Sequence, residues 1–451
     1  LSGAFVFDDT KQIVGNPALR SWGNILRAFT SDVWSFQRGT LTRDVPPPYY
    51  RPLFTAYLTL NYKLFGLWEP GWHLMNLLFF LIKRLSGNRL IATLAALVFG
   101  LHPAHVESVS WISGIPDPLA ALLYVPSLIW YVRYRMEGDK KFVIASVIAY
   151  GLSALCKETP LALPLVFIVW ELTRSGSGRS LSARGREIFF QLIPYGVMAG
   201  AYLALRFAVL GRLSWKHPFM ARVPDSAIWM TVPYVFVSYL RHLVAPFYLS
   251  LIYGTSFVTT AADPRFFLPA ALIVVLAILL WNYRKKLSGD SWSALALIVT
   301  PLLPVLNLRV FHYEYIIQDR YLYLPSIGFC YLIAILLVRW SRRQKQLVTA
   351  VTITIIVAFG ASTYAQNRVW HDAVSLWQRA IYYSPNSWST HYNLGLAYLN
   401  LKQNQAAVSE LAEAKRLNPR EPTVLNNLAL AQGAEGDTIE AIELLKEALK
   451  L

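Results

Sequence analysis

Asn393-Leu394-Gly395 and, 34 residues later, Asn427-Leu428-Ala429 decide how the C-terminal part of this chain folds. The same interval links Ala373, Ala407 and Ala441, then Ala380, Ala414 and Ala448, and then Pro385 and Pro419. Small side chains at fixed helical positions let paired helices pack closely, so the spacing predicts stacked helical hairpins. Working outward, the character of the chain changes near Tyr364. Before it, apolar segments follow one another. After it, the pattern is helical, soluble and rich in both charges.

A period of 34 residues is the tetratricopeptide (TPR) signature. Two repeats are expected, over 388–419 and 421–451, preceded by a helix over 371–382. No polar capping helix follows Leu451, so further repeats are expected beyond it. Such an array leaves a groove suited to an extended acceptor or to a partner protein. The domains are therefore drawn as a membrane part, 1–365, and a repeat part, 366–451.

The first part is built from apolar runs at 90–101, 118–130, 142–155, 160–170, 188–210, 228–240, 266–281, 293–306, 321–338 and 348–359. Several reach the ~20 residues that cross ~30 Å of hydrocarbon, and the others extend with flanking aromatics. The chain is 55% hydrophobic and 15% charged, a balance that argues against one large soluble helical core. Its two cysteines, Cys156 and Cys330, sit inside apolar runs, which excludes a disulfide framework and a cysteine zinc site. There are 42 basic residues against 26 acidic ones, but they cluster between apolar runs, a pattern of membrane orientation and not of nucleic-acid binding.

Five clusters mark the cytoplasmic side: Lys83, Arg84 and Arg89; Arg133, Arg135, Lys140 and Lys141; Arg174, Arg179, Arg184 and Arg186; Arg284 to Lys286; and Arg339, Arg342, Arg343 and Lys345. The first loop, 1–72, the loop 102–116 and the repeats then lie on the exoplasmic side. An even number of crossings is required between Arg186 and Arg284, yet three apolar candidates stand there. Either 245–260 hides a re-entrant piece or one candidate does not span. The chain starts at Leu1 in a loop, and 73–84 is short for a crossing, so residues are expected upstream and after Asn76.

Chemistry belongs where water, substrate and headgroup meet. In the first loop, Asp8-Asp9 is an adjacent carboxylate pair, in which each acid raises the other's proton affinity. Such a pair also suits a turn or a helix cap. The second loop carries His102, His105 and Glu107, which suit a metal, a helix cap or the wall of a polar cleft. Lys157-Glu158 reads as an ion pair at a helix junction. Arg206, Arg241 and Arg320-Tyr321 stand at the ends of apolar runs, where a charge is costly and serves either function or interfacial anchoring.

The ordered set of Phe7-Asp8-Asp9 with Asn16, Tyr50-Arg51-Pro52, Trp72-His73 with Asn76, Leu101-His102-Pro103 with His105-Val106-Glu107, Lys157-Glu158, and Arg320-Tyr321-Leu322-Tyr323-Leu324-Pro325-Ser326, followed by TPRs, resembles the transmembrane and TPR-containing O-mannosyltransferases and their bacterial relatives. These are C-type glycosyltransferases. The resemblance covers nearly the whole chain and departs from the family after Asn76, where relatives have a fuller membrane helix. It implies an all-α protein: a polytopic membrane bundle of C-type glycosyltransferase fold followed by a TPR α-solenoid.

The resemblance also implies a polyprenyl-phosphate sugar donor, mannose in the best-known members, and a protein or peptide hydroxyl acceptor. Asp8 matches the family's catalytic acid and Asp9 its acidic neighbour. Arg320 is the first candidate to stabilise the leaving phosphate, with Lys157, Arg206 and Arg241 behind it. His102, His105, Glu107, Glu158 and Tyr321 would line the substrate site. No residue is assigned to a metal, although the family leaves room for a divalent cation, Mg or Mn. The setting expected is a bacterial inner membrane with site and repeats in the periplasm, or the endoplasmic reticulum of a eukaryote. A non-catalytic scaffold assembling a complex through its TPRs is the competing reading. A transporter is more distant, because the membrane segments show no internal repeat.

Overall fold

A computed structural model describes residues 9–37, 49–65, 89–174, 181–213, 220 and 223–451. Among them there is no strand. The all-α expectation holds. The longer helices of the membrane part are α1 Pro52–Phe65, α2 Arg89–Gly100, α3 Pro116–Glu137, α4 Lys140–Cys156, α5 Leu163–Arg174, α6 Leu181–Leu210, α7 Asp225–Val244, α8 Pro264–Tyr283, α9 Gly289–Val299, α10 Tyr323–Ser341 and α11 Lys345–Val369. The repeat part adds α12 Ala373–Tyr383, α13 Trp388–Asn400, α14 Asn404–Leu417, α15 Pro422–Glu435 and α16 Thr438–Ala448.

Six described stretches are long and apolar enough to cross a membrane, from Ile112–Glu137 to Lys345–Val369. The chain reads as an integral membrane protein. α8 is the plainest case: apolar all round, it buries only Pro269 and exposes Leu268, Val274, Ile278 and Trp281. Such a surface is stable when its solvent is lipid. α3, in contrast, is buried along one face, where Tyr131 stacks on Phe167 of α5 with ring centres 4.0 Å apart.

Basic residues stand at the ends of α3, α8 and α10 and at the starts of α4, α6 and α11. Of the three apolar candidates between Arg186 and Arg284, α6 and α8 are long and apolar enough to cross and α7 is not. Asp225 at the start of α7 pairs with Arg309, and His242 at its end pairs with Asp319. Both partners lie in the segment that joins α9 to α10. The run 245–260 holds no helix, so it adds none. The run 293–306 is shortened too: Pro301 and Pro304 lack the N–H that a helix needs, and α9 gives way to two short 3-10 turns.

Gly328 sets the depth of the bundle. A Cβ there would collide with the Ala294 carbonyl oxygen and stand 2.7 Å from the Ile298 nitrogen, so α10 can lie on α9 only without a side chain. Gly328→Ala is expected to cost about 1–3 kcal/mol through overpacking. A thermal unfolding scan in detergent checks this, and an unchanged Tm would contradict such close packing.

The repeats fold as their spacing predicts. Ala380, Ala407 and Ala414 are fully buried, and Gly395 gives the Leu411 side chain room. The array does not hang from a free linker. Helix α11 runs to Val369, Asp372 caps α12, and Trp370, Leu376, Trp377 and Leu394 form one core with Val106 and Trp111 of the loop before α3.

Candidate functional site

One group of helix ends brings together residues far apart in sequence. Arg320 lies in a short 3-10 turn just before α10; Glu107 lies in the short helix Val106–Ser110. Glu107 accepts twice from Arg320: Oε1 from Nη1 and Oε2 from the backbone N–H, both at 3.2 Å. The guanidinium carbon sits 4.8 Å from the Trp111 ring centre and 5.5 Å from that of Tyr321. One carboxylate and two ring faces thus hold the cation.

Lys157 and Glu158 share the junction between α4 and α5 but do not pair with each other, as the sequence had suggested. Their backbones point the two side chains to different partners. Lys157 donates to both oxygens of Asp117 in the first turn of α3, and its ammonium lies 4.3 Å from the Tyr321 ring centre. Burial lowers the proton affinity of this amine and Asp117 partly restores it, leaving the pKa at about 8. Glu158 Oε2 accepts from Arg51 at 3.0 Å and Oε1 from Arg206 at 2.7 Å. Burial would raise this carboxyl, but Arg51 and Arg206 outweigh it and bring it down to about 2. Arg51 in turn lies 4.6 Å from the Tyr49 ring. The result is a floor of four cations, Arg51, Lys157, Arg206 and Arg320, interleaved with Tyr49, Tyr321 and Trp111.

Asp8 lies outside the described residues, as do His73 and Asn76. Asp9 is fully buried, and its Oδ1 accepts from the Ser113 backbone N–H at 2.7 Å. The first loop is therefore pinned to the loop that carries Glu107 and Trp111. Gly114 makes that loop tight, since a Cβ there would meet the Glu107 carbonyl oxygen at 2.7 Å.

Both histidines are held by hydrogen bonds to neighbouring groups. His102 Nδ1 accepts from Ala104 N–H and caps the turn Pro103–His105, while Nε2 bonds the Leu243 carbonyl at 2.9 Å. His105 bonds Ser326 at 2.7 Å under Tyr323. Of the three sequence readings for this loop, the cap describes His102 best. No group of three or more His, Cys, Asp or Glu among the described residues could hold a metal ion. Arg241 turns to His242, whose Nδ1 bonds Asp319 at 2.9 Å; it stands behind the Arg320 loop.

Over most of its length this chain is similar to proteins named protein O-mannosyl-transferases. It is 28% identical to protein O-mannosyl-transferase F38B6.6 of Caenorhabditis elegans, across 88% of this chain and 57% of that protein. It is 27% identical to human protein O-mannosyl-transferase TMTC1, across 95% and 54% respectively. With human TMTC4 the identity is 26%, across 90% and 62%. The chain spans somewhat more than half the length of these relatives. Residues 389–421 match the tetratricopeptide repeat family.

Sequence reasoning found Glu107, Lys157, Glu158, Arg206, Arg320 and Tyr321, which converge, but missed the partners that order them. Arg51 stood inside Tyr50-Arg51-Pro52, and Asp117 follows Pro116 at the start of α3. The signal was a charge beside a proline at a helix start, where Arg51 precedes α1 and Asp117 opens α3. Asp319 was passed over beside Arg320, yet it takes bonds from both His242 and the Tyr253 hydroxyl.

Proposed function

We propose that this chain is a membrane glycosyltransferase that moves a monosaccharide, mannose or a close relative, from a polyprenyl phosphate to a hydroxyl group on a protein at the exoplasmic face. The reading is carried by the four-cation floor on that face, beside helix ends that lead into lipid. A scaffold has no use for so many partly buried charges, whereas a lipid phosphate needs them. The similarity to named O-mannosyl-transferases supports the same chemistry.

In this reading Asp8 accepts the proton of a Ser or Thr hydroxyl as that oxygen bonds to the anomeric carbon. The bond from that carbon to the phosphate oxygen breaks, and the polyprenyl phosphate leaves with the electron pair. Direct displacement inverts the anomeric centre. The leaving group is already an acid anion, so it needs cations more than a proton donor. Arg320 is the main cation, with Lys157, Arg51 and Arg206 setting the surrounding potential, and Asp9 holds the first loop in register. A divalent cation is not required by these steps. Supplying the purified chain with labelled mannose on either polyprenyl phosphate or a nucleoside diphosphate tests the donor class. Product from the lipid donor alone is expected; product from the nucleotide alone would overturn the reading.

Glu107 makes the site sensitive to pH. Burial raises its carboxyl most, Arg320 opposes and Asp319 adds, leaving it pushed up to about 7. The folded state thus keeps a proton that the unfolded chain loses at its ordinary value near 4.5. Its contribution to stability is present below that value, declines as pH rises, and is lost above about 7. Below about 7 a neutral Glu107 also leaves the charge of Arg320 uncompensated. Affinity for a polyprenyl phosphodiester, whose own charge is constant there, is expected to fall as pH rises through that value. Glu107→Gln should flatten the step in a fluorescence titration; identical profiles would contradict the assignment.

A further inference from the structure

Trp370, His371 and Asp372 alone separate α11 from α12, so the end of a membrane helix fixes where the repeat part starts. Ala373, Leu376, Trp377 and Ala380 recur at intervals of three and four residues and give α12 one apolar face. That face shares a core with Val106, Trp111, Leu251 and Ile252, outside the repeats. Just past the helix, Ser384 Oγ donates to the Ile252 carbonyl at 3.0 Å. Trp370 stacks on Trp111, with ring centres 6.1 Å and planes 26° apart, and Trp111 in turn faces the Arg320 guanidinium.

A narrow cavity runs along this seam, with room for about one water molecule. Trp370, Leu376 and Arg379 line it from the repeat part, and Glu107 and Asp319 line it from the site. Glu107 is 3% exposed, and the α12 side of the cavity is part of what covers it. We infer that α12 is a seal on the donor site: docked through Trp370 and Leu376, it keeps water from Glu107 and so sets how much of the Arg320 charge is left for a lipid phosphate. Trp370 and Leu376 are positioning residues in this scheme, acting through Trp111 and Glu107. The ligand rests on the glycosyltransferase reading. The repeat part thereby regulates the site, since whatever draws α12 off the seam hydrates Glu107.

The direction of the effect follows from the groups around Glu107. Burial is the largest cause that raises its carboxyl to about 7; Asp319 and Asp117 add to it, and Arg320 opposes. Behind Asp319 stand His242 and the Tyr253 hydroxyl, both bonded to it. Arg379 is the cation on the α12 side, its guanidinium 4.9 Å from the Tyr383 ring, and α11 presents the uncharged Gln366. Water at the carboxyl removes the largest of these causes, so Glu107 ionises at lower pH and takes up the charge of Arg320.

The test follows the Glu107 carboxyl across pH by infrared difference spectroscopy of the full chain in nanodiscs, its band being the one missing from Glu107→Gln. The intact chain is expected to titrate at about 7. Trp370→Ala and Leu376→Ala should each lower the midpoint by at least about one pH unit, a tenfold change in proton affinity, and Trp370→Phe should restore it. At a pH of about 7, a fluorescent polyprenyl methyl phosphodiester should bind about fivefold more weakly to Trp370→Ala. In the Glu107→Gln background the same substitution should leave binding within about twofold. An intact midpoint near 4.5, or midpoints unshifted in both alanine variants with circular dichroism showing them folded, would overturn the inference. Leu376→Ala keeps the test open if Trp370→Ala does not fold. The infrared midpoint needs no donor: a chain in which it shifts but which binds no polyprenyl phosphodiester refutes the glycosyltransferase reading alone.

Discussion

Arg320→Ala is expected to lower kcat for sugar transfer by a factor of about 10² to 10³, the usual loss when one preorganised charge stabiliser is removed from a reacting oxyanion. The geometry gives the reason. Glu107 occupies Nη1, one corner of a five-donor fork, and fixes the backbone behind it. Trp111 and Tyr321 hold the guanidinium plane. The cation is therefore in place before charge develops on the phosphate. Arg320→Lys keeps the charge but loses the planar fork, so it should recover only part of the rate. Glu107 stays buried in both variants, and Arg320→Ala leaves it without its guanidinium partner. The variants are therefore compared after confirming equal unfolding temperatures. A kcat for Arg320→Ala within about twofold of the intact chain, well under 1.4 kcal/mol of barrier, would remove Arg320 from the mechanism.

The largest effect on stability is expected from Lys157→Met. Both side chains of the Lys157–Asp117 pair are 3% exposed, and the substitution strands a buried carboxylate at the start of α3. Removing one partner of such a pair costs about 3–5 kcal/mol, while replacing both with apolar residues is often close to neutral. The pair joins the C-terminal end of α4 to the N-terminal end of α3, so the loss should appear as a lower Tm of the whole bundle. The double variant Lys157→Met with Asp117→Leu should regain most of that stability but not sugar transfer, since the floor has lost a cation. If the double variant is as unstable as the single one, the pair is not what holds the helices. If it regains full transfer, Lys157 plays no part in the chemistry.

The repeats were legible because a TPR buries a small residue at the same position of every hairpin. Ala407 and Gly395 follow from spacing alone, and both are where the spacing puts them. The membrane helices were legible as apolar runs, but α7 shows the limit of that signal. Its run, 228–240, stands between those of α6 and α8, yet over its full length α7 is not apolar enough to cross while they are. Its two ends meet Arg309 and Asp319, some 80 residues away, pairings that no local pattern encodes.

The site was legible as a set of charges that a membrane segment would not carry without use. Its pairings were not. Glu107 meets Arg320 across 213 positions and Lys157 meets Asp117 across 40, and no local period encodes either. Reading Lys157 and Glu158 as partners followed from adjacency. At a helix junction with an extended backbone, adjacent side chains diverge, and each found a tertiary partner. The histidines were open to several readings for a related reason: a turn that needs a cap and a cleft that needs a polar wall both select the same residue types.

The central claim is sugar transfer from a lipid phosphate with Asp8 as the base. It is tested most directly by giving the intact chain and Asp8→Asn a panel of radiolabelled polyprenyl-phosphate monosaccharides with membrane protein acceptors. Asparagine keeps the shape of the side chain but cannot accept the proton. Transfer by the intact chain from one donor, abolished in the variant, is the predicted result. No transfer from any donor by the folded intact chain, or equal transfer by both, would contradict it.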